Sequence, residues 1–509
     1  MSILKKLSIV SISTLLSRIL GLLRDILFFA VFATSFYGEA FLLAFTIPNL
    51  FRRMLGEGTL SSAFIPVFSG LFSRGKEKLA WSLLNQTLTR LFLYLGAFSM
   101  VVCFLSWAIF NSDYLSQEKW QIASFLNVST FSYALFICSA SLLIAALNVK
   151  DRFLEGATSP IVLNSILIGI LFFGIIFEIQ DLFVFATLLG FGVLLSGIFQ
   201  LLIPWVSLKI KSEWNWAFDY NKSESFMEVK ALFWIGAFGA AVSQINILIS
   251  RFLAYSLEDS GGVSLLYLAS RLVELPLGIF AIALSTVLFP ELARTAGLGN
   301  ERGYQKAFFL GLRVIFALTI PAACALYMIP ELIIGVLFEW NNFGSTEVLK
   351  ASSVLKVAAW TIPAYASSTF FVKALHSQKR MDAPFHAAVV SLLVSLCFSL
   401  LLMSEFGVLG LAFANLIAAY SQCVFLAFKC EFLSIRAIFD SRKVDMLRIL
   451  ISVVFLALIL GFGSSILESS KDKFFQCLQL TLLILIGISS YVAMLFILKF
   501  SWFQQKQMR

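Results

Sequence analysis

The chain has little of what soluble catalysis uses. Only 13% of its 509 residues are charged and only two are histidine, His376 and His386. A soluble domain carries about a quarter charged residues. Both histidines flank one short polar segment, which suits a surface role rather than a catalytic pair. The seven cysteines (Cys103, Cys138, Cys324, Cys397, Cys423, Cys430 and Cys477) lie in or beside apolar runs and form no CxxC pair. They read as small hydrophobes, so neither a disulfide framework nor a zinc site is expected. No low-complexity tract occurs, and no loop is long enough for a separate soluble domain.

What fills the chain is apolar: 60% of residues are hydrophobic, 54 of them phenylalanine, and the mean hydropathy is +0.91. That composition describes a polytopic membrane protein, with phenylalanine as lipid-facing and packing bulk. The net charge of +9 therefore predicts no nucleic-acid partner. Lys5 and Lys6 ahead of the first apolar run mimic a secretory signal. Arg18 and Arg24 interrupt that run, which a signal's apolar region would not contain, so a retained first helix is expected.

Apolar runs of about 20 residues or more can span a bilayer. They fall near 7–34, 39–72, 86–111, 122–148, 159–178, 181–208, 225–257, 263–293, 307–334, 347–375, 384–404, 407–430, 444–467 and 475–500, fourteen in all. Alternate connections carry Arg74, Lys76 and Lys78; Lys150 and Arg152; Lys209, Lys211 and Lys222; Arg294, Arg302 and Lys306; Lys379 and Arg380; and Lys429, Arg436, Arg442 and Lys443. The opposite connections hold only Lys119, Lys471 and Lys473. By the positive-inside rule this places both termini in the cytoplasm.

The sequence also repeats. Leu60-Ser61-Ser62-Ala63-Phe64-Ile65-Pro66 corresponds to Leu284-Ser285-Thr286-Val287-Leu288-Phe289-Pro290. Ala146-Leu147-Asn148-Val149-Lys150-Asp151-Arg152 corresponds to Ala374-Leu375-His376-Ser377-Gln378-Lys379-Arg380, and Pro160 to Pro384. The offsets are 224, 228 and 224 residues. A displacement of six helices preserves orientation, so two parallel six-helix repeats are expected, with the last two helices outside them. The expected segments are 1–220, 221–435 and 436–509.

Against this background the intramembrane arginines stand out: Arg18, Arg24, Arg52, Arg53, Arg251 and Arg271. Each costs about 2.5–3.5 kcal/mol at mid-depth, so six facing lipid would cost roughly 15–20 kcal/mol. They imply an internal cationic cavity and an anionic ligand. Arginine suits phosphate because its planar fork donates two hydrogen bonds and keeps its charge when desolvated.

Each position has a structural alternative. Arg18 and Arg24 lie about 120° apart around a helix, whereas Ser17 and Arg24 share a face; either arginine could instead snorkel, or pair with Asp25. Pro48, Gly56 and Gly58 loosen the second helix, as is tolerated where a helix lines a cavity. Arg53 and Glu57 are spaced to pair, which leaves Arg52 as the better ligand candidate. Arg271 and Glu274 are spaced to pair as well. Arg251, near the outer end of its helix, could snorkel. Glu39 could be a dipole-favoured helix-start acid or one side of a gate.

Several of these residues also carry a family resemblance. Ser17-Arg18-Ile19-Leu20-Gly21-Leu22-Leu23-Arg24-Asp25, Ala40-Phe41, Pro48-Asn49-Leu50-Phe51-Arg52-Arg53, Gly56-Glu57-Gly58 and Ala63-Phe64-Ile65-Pro66 resemble the start of the MurJ (MviN) family. Ser243-Gln244-Ile245 and Ala269-Ser270-Arg271-Leu272-Val273-Glu274-Leu275-Pro276 look like it too. The resemblance implies a bacterial lipid II flippase of the multidrug/oligosaccharidyl-lipid/polysaccharide exporter superfamily. The fold would be all-α and MATE-like, with two six-helix lobes around a cationic cavity and a final helix pair forming a lipid-tail groove.

Carried over, Arg18, Arg24, Arg52 and Arg271 would bind the diphosphate. Ser17, Glu39, Arg53, Glu57, Arg251 and Glu274 would support or gate. Where the family usually has aspartate, this chain has Glu39. Some relatives hold sodium with acids on the seventh and eleventh helices. No acid lies between Glu228 and Glu258 or within 384–404 here, which argues against a sodium site. No cofactor is expected, and the membrane potential or an ion gradient would supply energy. The expected protein is a monomer in the bacterial cytoplasmic membrane, in contact with lipid II, membrane lipids and, by family context, other cell-wall synthesis proteins. The competing readings are a flippase for another polyprenyl-diphosphate oligosaccharide, a cation-coupled drug exporter, and a membrane glycosyltransferase. The drug exporter would want intramembrane acids. The glycosyltransferase would need a catalytic acid on a sizeable outer loop, where only Asp113, Glu118, Glu258 and Asp259 are scattered.

Overall fold

The computed structural model describes residues 3–112, 118–283, 289–298, 300–378, 380, 382–430, 443–466 and 472–500, and among them it contains helices and no strand. Eight helical stretches among the described residues are long and apolar enough to cross a membrane. In hydrocarbon every backbone group must be satisfied within its own segment, which helices achieve. The chain forms two compact units, Met1–Tyr255 and Ser256–Arg509.

The first unit begins with α1 (Ile3–Phe32) and α2 (Phe36–Phe51), followed by a π-helical segment, Arg52–Thr59, and α3 (Leu60–Ser73). Next come α4 (Glu77–Arg90), a second π-helical segment (Leu91–Leu95) and α5 (Gly96–Phe110). The remainder is α6 (Glu118–Phe131), α7 (Tyr133–Val149), α8 (Leu154–Ile176), α9 (Leu182–Lys211) and nearly all of α10 (Glu224–Ser256). Helix α1 packs along α8, α7 along α9 and α2 along α6. Without a hydrophobic drive between helices in lipid, close approach depends on small residues. A Cβ on Gly190 would sit 2.4 Å from Ser129 Oγ, and one on Gly197 would sit 2.8 Å from the Tyr133 ring. These glycines let α9 close on α6 and α7.

The second unit comprises α11 (Gly262–Ala283), α12 (Phe289–Gly297), α13 (Glu301–Met328), α14 (Pro330–Phe338), α15 (Ser345–Ala359) and α16 (Thr361–Ser377), then α17 (Asp382–Lys429), α18 (Lys443–Ile466) and α19 (Lys473–Ile497). Its core gathers Phe308, Leu312, Phe370 and Phe371. Helix α17 is a hairpin. Gly407 adopts φ 54°, ψ −129°. A Cβ on Gly410 would meet the Leu402 carbonyl oxygen at 2.2 Å, and Ser391 Oγ donates to the Ala418 carbonyl at 3.4 Å. The two halves therefore run antiparallel, and they match the two spans expected on either side of residues 405–406.

Matching details recur at the expected offset within each unit. The Arg152 amide donates to the Leu147 carbonyl at 3.0 Å, and the Arg380 amide donates to the Leu375 carbonyl at 3.0 Å. This is the same helix-ending turn, closed by a bond reaching back over five residues. The Arg152 guanidinium then donates to Ser207 near the end of α9, and Arg380 donates to the Lys429 carbonyl at the end of α17. The Leu284–Leu288 part of the first repeat match lies outside the described residues.

A second arginine pair was not anticipated from the sequence. Arg90 donates to the Gln86 carbonyl (3.0 Å) and to the Tyr220 and Asn221 carbonyls (2.9 and 3.0 Å). Arg313 donates to the Phe309 carbonyl at 3.1 Å and to Asp445 at 3.0 Å. Each bonds the carbonyl four residues back; Arg90 also holds a segment that follows α9, and Arg313 also holds the start of α18. In the first unit that segment, 212–223, is clamped on α4. Trp214 Nε1 donates to Asn85 Oδ1, and Ser82 and Gln86 donate to Asp219. Burial acts to raise the Asp219 carboxyl, but bonds from the Asn221 amide, Ser82 and Gln86 outweigh it and hold the group below its ordinary 3.8.

Arg90→Ala should speed amide exchange across 212–223 by about tenfold or more, because it removes charge-assisted hydrogen bonds. The Asp219 contribution follows from its lowered value. It is complete above pH 3.8 and is lost as the pH falls through the folded-state value. Exchange in 212–223, corrected for intrinsic rates, should accelerate selectively over that acid range, and Asp219→Asn should remove the acid dependence.

Candidate anion-binding site

The first arginine cluster is built where α1 meets α8. Seven residues separate Ser17 from Arg24, so they share a helix face. Asn164 of α8 bridges that face: its Nδ2 donates to the Ser17 carbonyl at 3.1 Å, and its Oδ1 accepts from Arg24 Nη1 at 3.1 Å. Arg24 also donates through Nε and Nη2 to Asp25 Oδ1, at 3.1 and 2.6 Å. Arg24 and Asp25 are only 7% and 5% exposed. A buried guanidinium thus meets one carboxylate and one amide oxygen. Arg18 is exposed. The two arginines accordingly have different surroundings, as their angular separation requires.

Arg52 opens the π-helical segment, and its Nε donates to Asn49 Oδ1 at 2.9 Å. Thr59 Oγ1 donates to the Met54 carbonyl at 2.8 Å, satisfying one acceptor in the widened turn. Arg53 is half-buried, while the side chain of Glu57 lies outside the described residues. Arg52 lines a cavity of about 340 Å³ together with Ser61, Ser141, Asn148, Ser159 and Pro160.

At the start of α2, Glu39 is 4% exposed in the first helical turn, after the capping residue Ser35. Arg251 of α10 donates to Thr46 Oγ1 at 2.6 Å. The Tyr255 hydroxyl donates to the Lys119 carbonyl, and Trp120 meets the Tyr255 ring edge-on at 4.8 Å. These contacts hold α10 against α2 and α6.

Arg271 belongs to the second unit. Its Nη1 donates to Glu274 Oε2 at 3.1 Å, and its Nε donates to the Tyr267 hydroxyl at 3.0 Å. The pair is partly open, with side chains 34% and 47% exposed, so it adds little to stability while leaving the guanidinium accessible. The same unit has a cavity of about 810 Å³ lined by Glu258, Asp259, Lys350 and Glu405, all exposed. No group of three or more His, Cys, Asp or Glu residues suited to a metal ion occurs among the described residues.

The structure thus joins Ser17 to Arg24 through Asn164 and puts Arg52 beside a cavity. Asn164 and Asn148 were absent from the sequence-based candidates. A lone asparagine within the apolar run Pro160–Leu171 is the signal that could have singled out Asn164. Arg24→Ala should destabilise the purified protein by about 3–5 kcal/mol, because it breaks a buried ion pair. Arg18→Ala should leave thermal unfolding in detergent unchanged, and Asp25→Asn should restore part of the loss in Arg24→Ala.

The chain matches the family model described as lipid II flippase MurJ over residues 28–485. It is 30% identical over 469 residues to a probable lipid II flippase MurJ of Buchnera aphidicola subsp. Acyrthosiphon pisum, covering 90% of each chain. It is 31% identical over 433 residues to a protein of the same description from Bdellovibrio bacteriovorus, covering 83% of this chain and 81% of the relative. Among solved structures it is similar to a lipid II flippase MurJ in an inward closed conformation, with a TM-score of 0.78, 25% identity, and coverage of 98% of this chain and 99% of that one. An inward-facing MATE family transporter of the MOP superfamily shares the fold at 13% identity, with a TM-score of 0.63 over 83% of this chain and 97% of that one. With its transporter fold and its match to the family model over nine-tenths of its length, the chain belongs to the MurJ family of lipid II flippases.

Proposed function

We propose that this protein moves lipid II, the undecaprenyl-diphosphate-linked disaccharide-pentapeptide, from the inner to the outer leaflet of the bacterial cytoplasmic membrane by alternating access. The observation that carries this reading is the family match across residues 28–485 in a chain whose membrane helices bear arginines. A diphosphate is the anion those guanidinium groups are chemically suited to meet.

In this reading the chain crosses the membrane fourteen times with both termini in the cytoplasm. Residues 1–220 and 221–435 are the two lobes, and 436–509 guide the polyprenyl tail. Arg18, Arg24, Arg52 and Arg271 bind the diphosphate. Asp25 and Asn164 position Arg24, Glu274 and Tyr267 position Arg271, and Glu57 supports Arg53. Glu39 and Arg251 act at the outer end. An inside-negative potential favours outward movement of the anion and inward return of an empty cationic site, by about 2.3 kcal/mol per charge per 100 mV. No sodium site is invoked, and the protein acts as a monomer.

Depletion of the protein should leave lipid II on the inner leaflet; unchanged lipid II orientation would defeat the reading. Single changes of Arg18, Arg24, Arg52 or Arg271 to Ala should abolish complementation while the protein still inserts. In vesicles, flipping should accelerate under an inside-negative potential and slow when the sign is reversed. Indifference to sign would remove voltage coupling from the mechanism.

A further inference from the structure

The cavity beside Arg52 has a lining that its phosphate-binding role does not use. Its polar groups are Ser61 on α3, Ser141 and Asn148 on α7, and Ser159 at the start of α8. All are neutral hydrogen-bonding side chains, and the single charge is Arg52. No carboxylate and no aromatic ring lines the space. Ile137, Ile144, Ala145, Gly156 and Pro160 complete the wall. Such a set offers nothing to select a cation. It matches a group rich in hydroxyls and amides that is attached directly to an anion.

The backbone explains how these residues converge. Arg52 and Ser61 are nine residues apart. On an α-helix of about 3.6 residues per turn that separation is about two and a half turns, which puts them on opposite faces. Between them runs the π-helical segment Arg52–Thr59, whose turns close from i to i+5 and hold more residues each. The wider turns absorb about half a turn and return Ser61 to the face of Arg52, so both line one cavity. On the opposite wall, a Cβ on Gly156 would lie 2.7 Å from Ile144 Cγ2, so α8 starts tight against α7. That contact brings Ser159 near Asn148. The Asn148 amide and the Ser159 hydroxyl have no protein hydrogen-bond partner among the described residues, whereas Ser141 Oγ donates to the Ile137 carbonyl at 2.8 Å. A volume of about 340 Å³ lies at the small end of ligand sites. It is too small for a disaccharide-pentapeptide and is scaled to one substituted sugar ring.

We propose that this cavity is the subsite for the first, diphosphate-bearing sugar of the lipid-linked substrate. Arg52 lies toward the phosphate, and Asn148, Ser159, Ser141 and Ser61 meet the ring hydroxyls and the acetamido group. The proposal rests on the flippase reading and adds to it: the first lobe recognises a glycan as well as a charge. The π-helical segment is the device that assembles the two recognitions.

The test measures binding of two probes to the full-length protein in detergent: bare polyprenyl diphosphate, and polyprenyl diphosphate carrying one N-acetylated amino sugar. The wild type should prefer the sugar-bearing lipid. Asn148→Leu and, more gently, Ser159→Ala should each weaken binding of that lipid about three- to tenfold, the loss of one or two neutral hydrogen bonds. Binding of the bare diphosphate should hold, and Arg52→Ala should weaken both probes. Equal weakening of both probes by Asn148→Leu and Ser159→Ala, or no effect on either, overturns the subsite and leaves the flippase reading standing. A wild-type protein that binds neither probe overturns the flippase reading and the subsite with it.

Discussion

A guanidinium charge buried among apolar helices has to be met by a polar partner, and the contact between α1 and α8 answers that requirement. Arg24 is the clearest case. It is buried, it cannot give up its proton, and hydrocarbon offers it nothing. Asp25 and Asn164 meet it from two sides. Because Asn164 also bonds the Ser17 carbonyl, the contact that accommodates the charge is the same contact that locks α1 to α8. Burying such a charge gives little net stability.

The arginines differ in their surroundings. Arg251 bonds Thr46 and fastens one helix to another. Arg90 clamps the segment that follows α9, and Arg313 holds the start of α18. Arg271 sits in a half-open pair with Glu274, where a stronger anion could compete. Arg52 stands at the mouth of a cavity whose remaining groups are neutral. Arginine thus serves as structural fastener and as candidate ligand in one chain.

The internal duplication gives this distinction a second support. The turn closed by Arg152 recurs with Arg380, and the clamp made by Arg90 recurs with Arg313. Features present at both positions of the repeat belong to the scaffold.

Much of this was legible in the residues. Apolar runs marked the helices, because in lipid a helix is the one local structure that satisfies its own backbone. Motif spacing around Arg18, Arg24 and Arg52 carried the family, and the cost of buried charge singled out the arginines. Other features needed the fold. A polar run such as Asn85–Arg90 can cap, line a pore or bind a linker, and only the docked 212–223 segment shows which. Asn164 is one amide in an apolar helix until α1 approaches it. The convergence of Arg52 and Ser61 contradicts helical periodicity and depends on a π-turn that no residue spacing announces. Hydrophobicity and charge are properties of each residue, so the sequence alone determined the membrane class and which arginines call for polar partners. Partnership is a property of pairs distant in the chain, so only tertiary packing decided which arginine is fastened, which is open, and what stands beside it.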